Sequence, residues 1–452
     1  MSNTSKLSHI SLSTPHEIAA FLTSLGIAPD QIEVIASDCG WQTRSPRKIT
    51  APALITALCK KTRGGTSSYN DIASAINDSL ELQPSRQAVC QRLTKPCLEM
   101  IQHILRIAIE KRMTDSTPQI EKKDTILSHF NQVIVQDSSV VKLPSWLFDS
   151  YSGVANGSSQ VCNARIQAVY DLKRMAFLEF SIDAYSKNDL VAAPELTIRK
   201  GDLVLRDRGY LTASEIKRHR DAEAHFIYRH KTGTSYRDIH SDEPIDLPAL
   251  LQSQKTLDRE VTLNDEARTR VRLVAFPVSE ETANLRRMKA KKEVRGHNPS
   301  AAVLQLMGWT IFLTNLGKEV SFESLLEIYG LRWRIEIIFK AWKSNMDFAV
   351  IHRVSKLEFE INLTAKLVTI TLALGHLYAL CFERMRETTQ RDLSLMKFSR
   401  YLSNNPSRVI QLSEWLTQGA PAEAGSCIAL RKYCCYDKRK RLNFHQKKDT
   451  IA

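Results

Sequence analysis

Nine cysteines are scattered along the 452 residues without a single C-x-x-C pair. Their nearest approaches are Cys90 to Cys97 and the adjacent Cys434 and Cys435. Zinc sites and disulfide frameworks need paired, regularly spaced cysteines, so neither is supported, and a reducing cytoplasm is the expected setting. No internal repeat stands out. The opening residues, MSNTSKLSHISLST, lack the charged-then-apolar pattern of a secretory signal. Long apolar runs are scarce as well. The longest, Leu367 to Phe382, contains His376 and falls short of a bilayer span, so it reads as a buried helix and no membrane partner is expected.

Acidic residues are in deficit, 49 Asp and Glu against 63 Lys and Arg, which leaves a formal charge of +14. An excess of that size points to a polyanion, nucleic acid being the commonest, although a merely solvated basic surface is the bland reading. With 43% apolar residues the chain is globular, and its length suffices for two or three domains.

Along the chain the hydrophobic period changes twice. Residues 1–125 read as helical, with apolar spacing of about 3.6 over His16 to Leu25, Pro52 to Lys61 and Leu98 to Arg112. Between them, SSYNDIASAINDSLELQPSRQAVCQRL reads as two short helices, the second opening at Ser85 with Arg86 and Gln87. That arrangement resembles a helix-turn-helix and is equally at home in any helical domain.

From about residue 130 the pattern is strands: NQVIVQDSSVVKLP, a hairpin turning at Asp171 to Arg174, then DLVLRDRGYL, a helix TASEIKRHRD and a strand AHFIYRH. A charged segment, 231–305, precedes the strand GWTIFLTNL and a helix expected to start at Ser321. Hairpins mixed with crossover helices predict an α/β fold with a mixed sheet covered by helices.

Asp137 follows VIVQ and Asp207 follows LVLR, so each carboxylate is expected where a buried strand ends, the place where open α/β sheets hold ligands. Taken singly, either is more simply a capping residue. Glu336, in YGLRWRIEIIFKAWK (Tyr329–Lys343), could bring a third carboxylate to the same point. On a helix, Leu331, Ile335, Ile338, Phe339 and Trp342 form one apolar sector, and Arg332, Glu336, Lys340 and Lys343 line its edge. That edge is either a solvated i,i+4 ladder or a functional row. Three carboxylates together repel unless cations join them. Magnesium suits such a set, and a pair of ions could drive phosphodiester displacement, making the chain a candidate nuclease or strand-transfer enzyme.

Tyr329, Arg332, Glu336 and Lys343 fill the spacing Y-x-x-R-x-x-x-E-x-x-x-x-x-x-K. Together with Asp207 in DRGY and Asp137 in QDSS, this resembles the signature of insertion-sequence DDE transposases of the IS-four group, over about residues 130–350. The resemblance implies a ribonuclease-H-like core at 126–354, with 231–305 as a β-rich insertion. It also implies a DNA-binding helical region at 1–125, and a helical region with a basic tail at 355–452.

Asp137, Asp207 and Glu336 would bind two magnesium ions, for which manganese can substitute. Double-stranded DNA, at the element ends and the target, would be nicked, in many relatives through a hairpin, and its 3-prime ends joined to the target. Tyr329, Arg332, Lys343 and Lys340 would grip phosphates. Trp309 would stack on a flipped base, or else be a core residue at a strand start. Arg286, Arg287, Lys289, Lys291, Lys292 and Arg295 would touch DNA backbone or form a solvated loop.

The resemblance implies a homodimer in the DNA complex, joined through the C-terminal region, working in the cytoplasm at the nucleoid. A metal-dependent nuclease without strand transfer, and a non-catalytic DNA-binding repressor, are the competing functions.

Overall fold

In the computed structural model the described residues are 15–43, 49–60, 68–80, 83–115, 125–153, 161–187, 189–193, 196–293, 298–348, 351, 354–437 and 442–451. Arg295, of the basic cluster, lies outside them. Ten strands form one sheet: β1 (Val133–Lys142), β2 (Asn163–Asp171), β3 (Ala176–Ala184), β4 (Leu203–Arg206), β5 (His225–Arg229), β6 (Tyr236–Asp238), β7 (Pro244–Ile245), β8 (Leu257–Leu263), β9 (Arg270–Pro277) and β10 (Trp309–Thr314). Their order is β3-β2-β1-β4-β5-β10-β9-β8-β6-β7.

The first five strands are the α/β core that the sequence predicts. β1, β2 and β3 are an antiparallel meander, and β4 and β5 continue parallel to β1. This mixed sheet with flanking helices is the ribonuclease-H-like arrangement. β10 then adds antiparallel to β5 and joins the core to the strands of 231–305. Those strands therefore extend the same sheet, and the segment carries three helices as well: Leu247–Ser253, Glu280–Glu293 and Ala301–Leu306.

The helical reading of the N-terminal region holds where it is described, with helices at Pro15–Ser24, Ala51–Lys60, Tyr69–Leu80, Arg86–Arg92 and Lys95–Asp115. The helix Pro29–Asp38, with Pro29 and Asp30 in its first turn, escaped the sequence reading. These helices pack on the C-terminal ones, and a single apolar core runs through both and one face of the sheet. A second, smaller core, containing Tyr228, Tyr236 and Leu273, fills the insertion half.

At the centre of the larger core runs one long helix, Lys356–Thr389, widened by a π-helical stretch at Thr371–Leu377. By length and composition it could cross a bilayer, but 83% of its apolar window is buried against the protein. Thr369 ties it to the N-terminal region by donating to the Cys59 carbonyl at 3.2 Å.

The basic C-terminal end is ordered into helices where it is described, Gly425–Tyr433 and Phe444–Thr450, with His445 and Lys448 buried. The apolar body of a lysine can be buried while its charged end reaches a polar partner, which a reading by charge count overlooks.

β4 is anchored by charge. Arg206 is fully buried and its guanidinium meets Glu215, on the helix Ala213–Asp221, at 2.5 Å. A buried ion pair broken on one side leaves an uncompensated charge, which costs about 3–5 kcal/mol. Glu215→Ala should therefore lower unfolding stability by about that amount in denaturant titrations. A loss comparable to an exposed pair, below about 1 kcal/mol, would mean that water solvates Arg206.

Candidate active site

The position of the acids follows from strand register. β1 and β4 pair in parallel from Val133 with Leu203 to Gln136 with Arg206, so the next residues, Asp137 and Asp207, emerge side by side. β4 stops there, because Asp207 begins the turn Arg208–Tyr210. β1 does not stop. It runs on to Lys142 in antiparallel pairing with β2, Asp137 lying opposite Ala168. Asp137 is thus a mid-strand residue rather than the strand end expected, and what ends at it is the pairing with β4.

The signature segment is also not one helix. A helix Phe322–Gly330, capped by Ser321, whose hydroxyl accepts the Ser324 N–H at 3.1 Å, stops at Gly330. A second helix, Trp333–Asn345, begins after a turn at Leu331 and Arg332. Leu331 and Arg332 keep right-handed helical angles but bond three residues back, to the Ile328 and Tyr329 carbonyls, so the break is a tightened turn. The apolar sector survives the break, since Leu331, Ile335, Ile338, Phe339 and Trp342 are all buried. Burial of each contributes roughly 1.5–3 kcal/mol, enough to fix the helix across the sheet.

Glu336 is consequently brought to Asp137. Arg332 lies between them, donating to Asp137 Oδ2 at 3.2 Å and to Glu336 Oε1 at 2.8 Å. The other Asp137 oxygen accepts the Ser138 N–H at 2.8 Å. Burial pushes the Asp137 carboxyl up to about 6, Ser138 and Arg332 pull it down, and the nearby Glu336 and Asp207 charges raise it further.

Three acids therefore converge on one place, and their oxygens are a donor set suited to a hard divalent cation. As they stand they are not gathered around a single point: among the described residues no three acidic, His or Cys side chains are grouped closely enough to hold an ion. The guanidinium of Arg332 occupies the space between two of them.

The remaining signature residues are placed as follows. Tyr329 is buried, 8% exposed, and its hydroxyl donates to the Arg206 carbonyl at 3.3 Å, beside Asp207. Burial raises its phenol to about 12. Lys343 donates to the Val140 carbonyl of β1 at 2.9 Å, and partial burial lowers its ammonium pKa. Lys340 is exposed on the same helix.

Trp309, half-buried at the start of β10, lines a cavity of about 820 Å³ whose wall also includes Asp207, Arg208, Arg229, His230, Arg286 and Lys289. Arg286 holds the wall by donating to the Trp309 carbonyl at 2.9 Å. Its pKa is lowered by burial and by Arg229. Of the charged cluster Arg286–Lys292, the segment expected as a possible loop, all lies on the helix Glu280–Glu293.

Sequence reasoning missed Arg208, Arg229 and His230. Arg229 ends β5 and Arg208 opens the turn after Asp207, and neither carries a periodic signal; the only hint was that each stands at the end of an apolar strand run. His230 is kept neutral, because burial and Arg208 lower it to about 4, and its Nδ1 lies 2.7 Å from the Tyr236 hydroxyl.

A family model described as the transposase DDE domain matches residues 128–372, the stretch that contains all three acids. The chain belongs to that family. This DDE transposase is 25% identical to the transposase for insertion sequence element IS231F of Bacillus thuringiensis subsp. israelensis, over 87% of this chain and 85% of the relative. It is 23% identical to the IS231B transposase of B. thuringiensis subsp. berliner, over 98% and 96%. The IS1151 transposase of Clostridium perfringens matches at 24% over 68% and 69%. A solved synaptic complex of piggyBac transposase with hairpin DNA is a remote neighbour, with a TM-score of 0.36 and 10% identity over 87% of this chain and 77% of that one. The insertion-sequence DDE transposase expected from the signature residues is thus borne out, and the protein is an enzyme acting on DNA.

The transposase should show the strain of its acids in its pH dependence. The Asp137 carboxyl, ordinarily 3.8, is held at about 6 in the fold, so the folded metal-free protein binds that proton more tightly than the unfolded chain. The resulting stability is full below about pH 3.8 and is lost as pH rises through about 6. Asp137→Asn removes this loss. At pH 8 without metal it should unfold later than the parent, by on the order of 1–3 kcal/mol, and near pH 4 the two should unfold alike. A variant less stable than the parent at pH 8 would contradict the assignment.

Proposed function

We propose that this transposase binds the ends of its insertion sequence as double-stranded DNA, cleaves them, and joins the freed 3-prime ends to target DNA. The observation that carries this reading is that Asp137, linked through Arg332 to Glu336 and close enough to feel the Asp207 charge, stands beside a cavity that Asp207 lines together with Arg208, Arg229, Arg286 and Lys289. Acids that would be mutually repulsive are placed beside cations suited to phosphates.

Asp137, Asp207 and Glu336 would hold magnesium, with manganese as a substitute. Bound there, such ions activate a water or 3-prime hydroxyl and stabilise the leaving oxygen. The protein's own groups do the rest. Arg332, Lys340 and Lys343 present positive charge along the acid site, where they position the phosphates flanking the scissile bond. Tyr329, with its hydroxyl on the Arg206 carbonyl, acts by holding the end of β4 and therefore Asp207 in place, a positioning role rather than a direct grip.

Trp309 offers a half-buried aromatic face within a basic cavity, which suits a base turned out of the duplex while Arg208 and Arg229 meet its phosphates. The helical region 1–125 is the reader of end sequence, a role that the exposure of Ser85, Arg86 and Gln87 at the start of the helix Arg86–Arg92 supports. The catalytic core is then 126–354. The region 355–452 provides the contact between two copies on paired ends. The enzyme works in the cytoplasm at the nucleoid.

Cleavage of a supercoiled plasmid carrying the element's ends, in magnesium, tests the acid site. Asp207→Ala should lower the rate by roughly 10³-fold, the several kcal/mol that a bound ion contributes, while end binding stays near normal. Tight end binding by the wild type with no cleavage under any metal would favour a DNA-binding repressor.

Trp309→Ala should slow hairpin formation or resolution more than the first nick, at a cost of about 1–3 kcal/mol for the lost stack. Equal loss in both steps would leave Trp309 as a wall residue. End affinity should also fall steeply with salt, with a slope of about −0.9 in log–log terms for each phosphate neutralised. A flat response would argue against phosphate recognition.

A further inference from the structure

Arg332 makes two charged contacts, and both are to carboxylates assigned above to cation binding. Its side chain is only 12% exposed. Its Nε is buried without a partner. Apart from Tyr329, whose ring centre lies 5.8 Å away, the described residues supply no other acceptor for its side chain. A cation drawing Asp137 and Glu336 together would have to take the place of this guanidinium. A displaced, poorly hydrated arginine with nothing to bond is costly. The cost disappears if an anion receives it, and guanidinium has the donor geometry for a phosphate.

We propose that Arg332 is a latch that makes cation binding at the acid site depend on a DNA phosphate: it closes Asp137 onto Glu336 in the free protein and opens onto the phosphate of a bound end. The inference rests on the reading of Asp137, Asp207 and Glu336 as cation ligands. Its position favours such a switch. Arg332 stands in the turn between the helices Phe322–Gly330 and Trp333–Asn345, so its side chain can swing without disturbing either helix.

The consequence is reciprocal coupling. DNA ends tighten the cation and the cation tightens the ends, by the same factor. The free enzyme is thereby kept largely without bound cation until DNA is seated at the acid site.

The test is a manganese titration, with free Mn²⁺ followed by electron paramagnetic resonance, so that binding is read without catalysis. The free wild type should bind manganese weakly. Adding a duplex with the element's terminal sequence should tighten binding by about tenfold or more, after subtraction of the same titration with Glu336→Gln. Arg332→Gln should bind manganese tightly without DNA, and DNA should add little.

The wild-type titration with and without DNA does not use Arg332→Gln, so a poorly folded Arg332→Gln would not spare the proposal. Equal affinity of wild type and Arg332→Gln without DNA, both abolished by Glu336→Gln, would overturn the latch and leave the carboxylate reading standing. Manganese binding that Glu336→Gln does not alter, or no binding in any state, would overturn the carboxylate reading and the latch with it.

Discussion

Carboxylates brought together out of water repel one another, and something positive has to stand among them. In this fold the constraint is met by Arg332, and much of the surrounding architecture can be understood as holding that arrangement in place. The parallel register of β1 and β4 brings Asp137 next to Asp207. The buried Arg206–Glu215 pair and the Tyr329 hydroxyl fix the end of β4 from two sides. The apolar sector around Trp342 clamps the helix that carries Glu336, and Lys343 ties the same helix to the β1 backbone. Backbone register, buried charge and core packing all bear on one small volume.

Much of this was legible in the sequence, because its signals are local. Apolar runs that stop at an acid marked β1 and β4, and the apolar spacing from Leu331 to Trp342 marked a helix lying on the sheet. The turn of the hairpin and the cap at Ser321 were equally visible, since turn and cap chemistry depends on residues only a few positions apart. The errors have a common origin in contacts made at long range. Asp137 was taken for a strand end because pairing with β2, far along the chain, is what prolongs β1 to Lys142. The segment 231–305 was read as strand-like because its β pattern is strong, yet the helix Glu280–Glu293 forms within it and is tied to β10 through Arg286.

The cations of the cavity were the least legible part. Arg208 and Arg229 are twenty-one positions apart in number and meet only because β4 and β5 are neighbours in the sheet. Tyr329 illustrates the converse. Its place in the signature was clear, but whether a tyrosine faces solvent or a backbone carbonyl depends on the break at Gly330, and the residue itself gives no indication of that.

The sheet that begins with β3 and ends with β7 has no seam where the insertion enters. β10 is buried along nearly its whole length, with β5 on one side and β9 on the other. The insertion is therefore not an accessory that could be trimmed to leave a smaller working enzyme. Cutting it away would strip one side of β10 and bare an apolar strand edge in the middle of the molecule, a surface that recruits other chains. Shortened copies of such a gene would be expected to yield aggregates rather than compact partial enzymes, so inheritance of this segment is all or nothing.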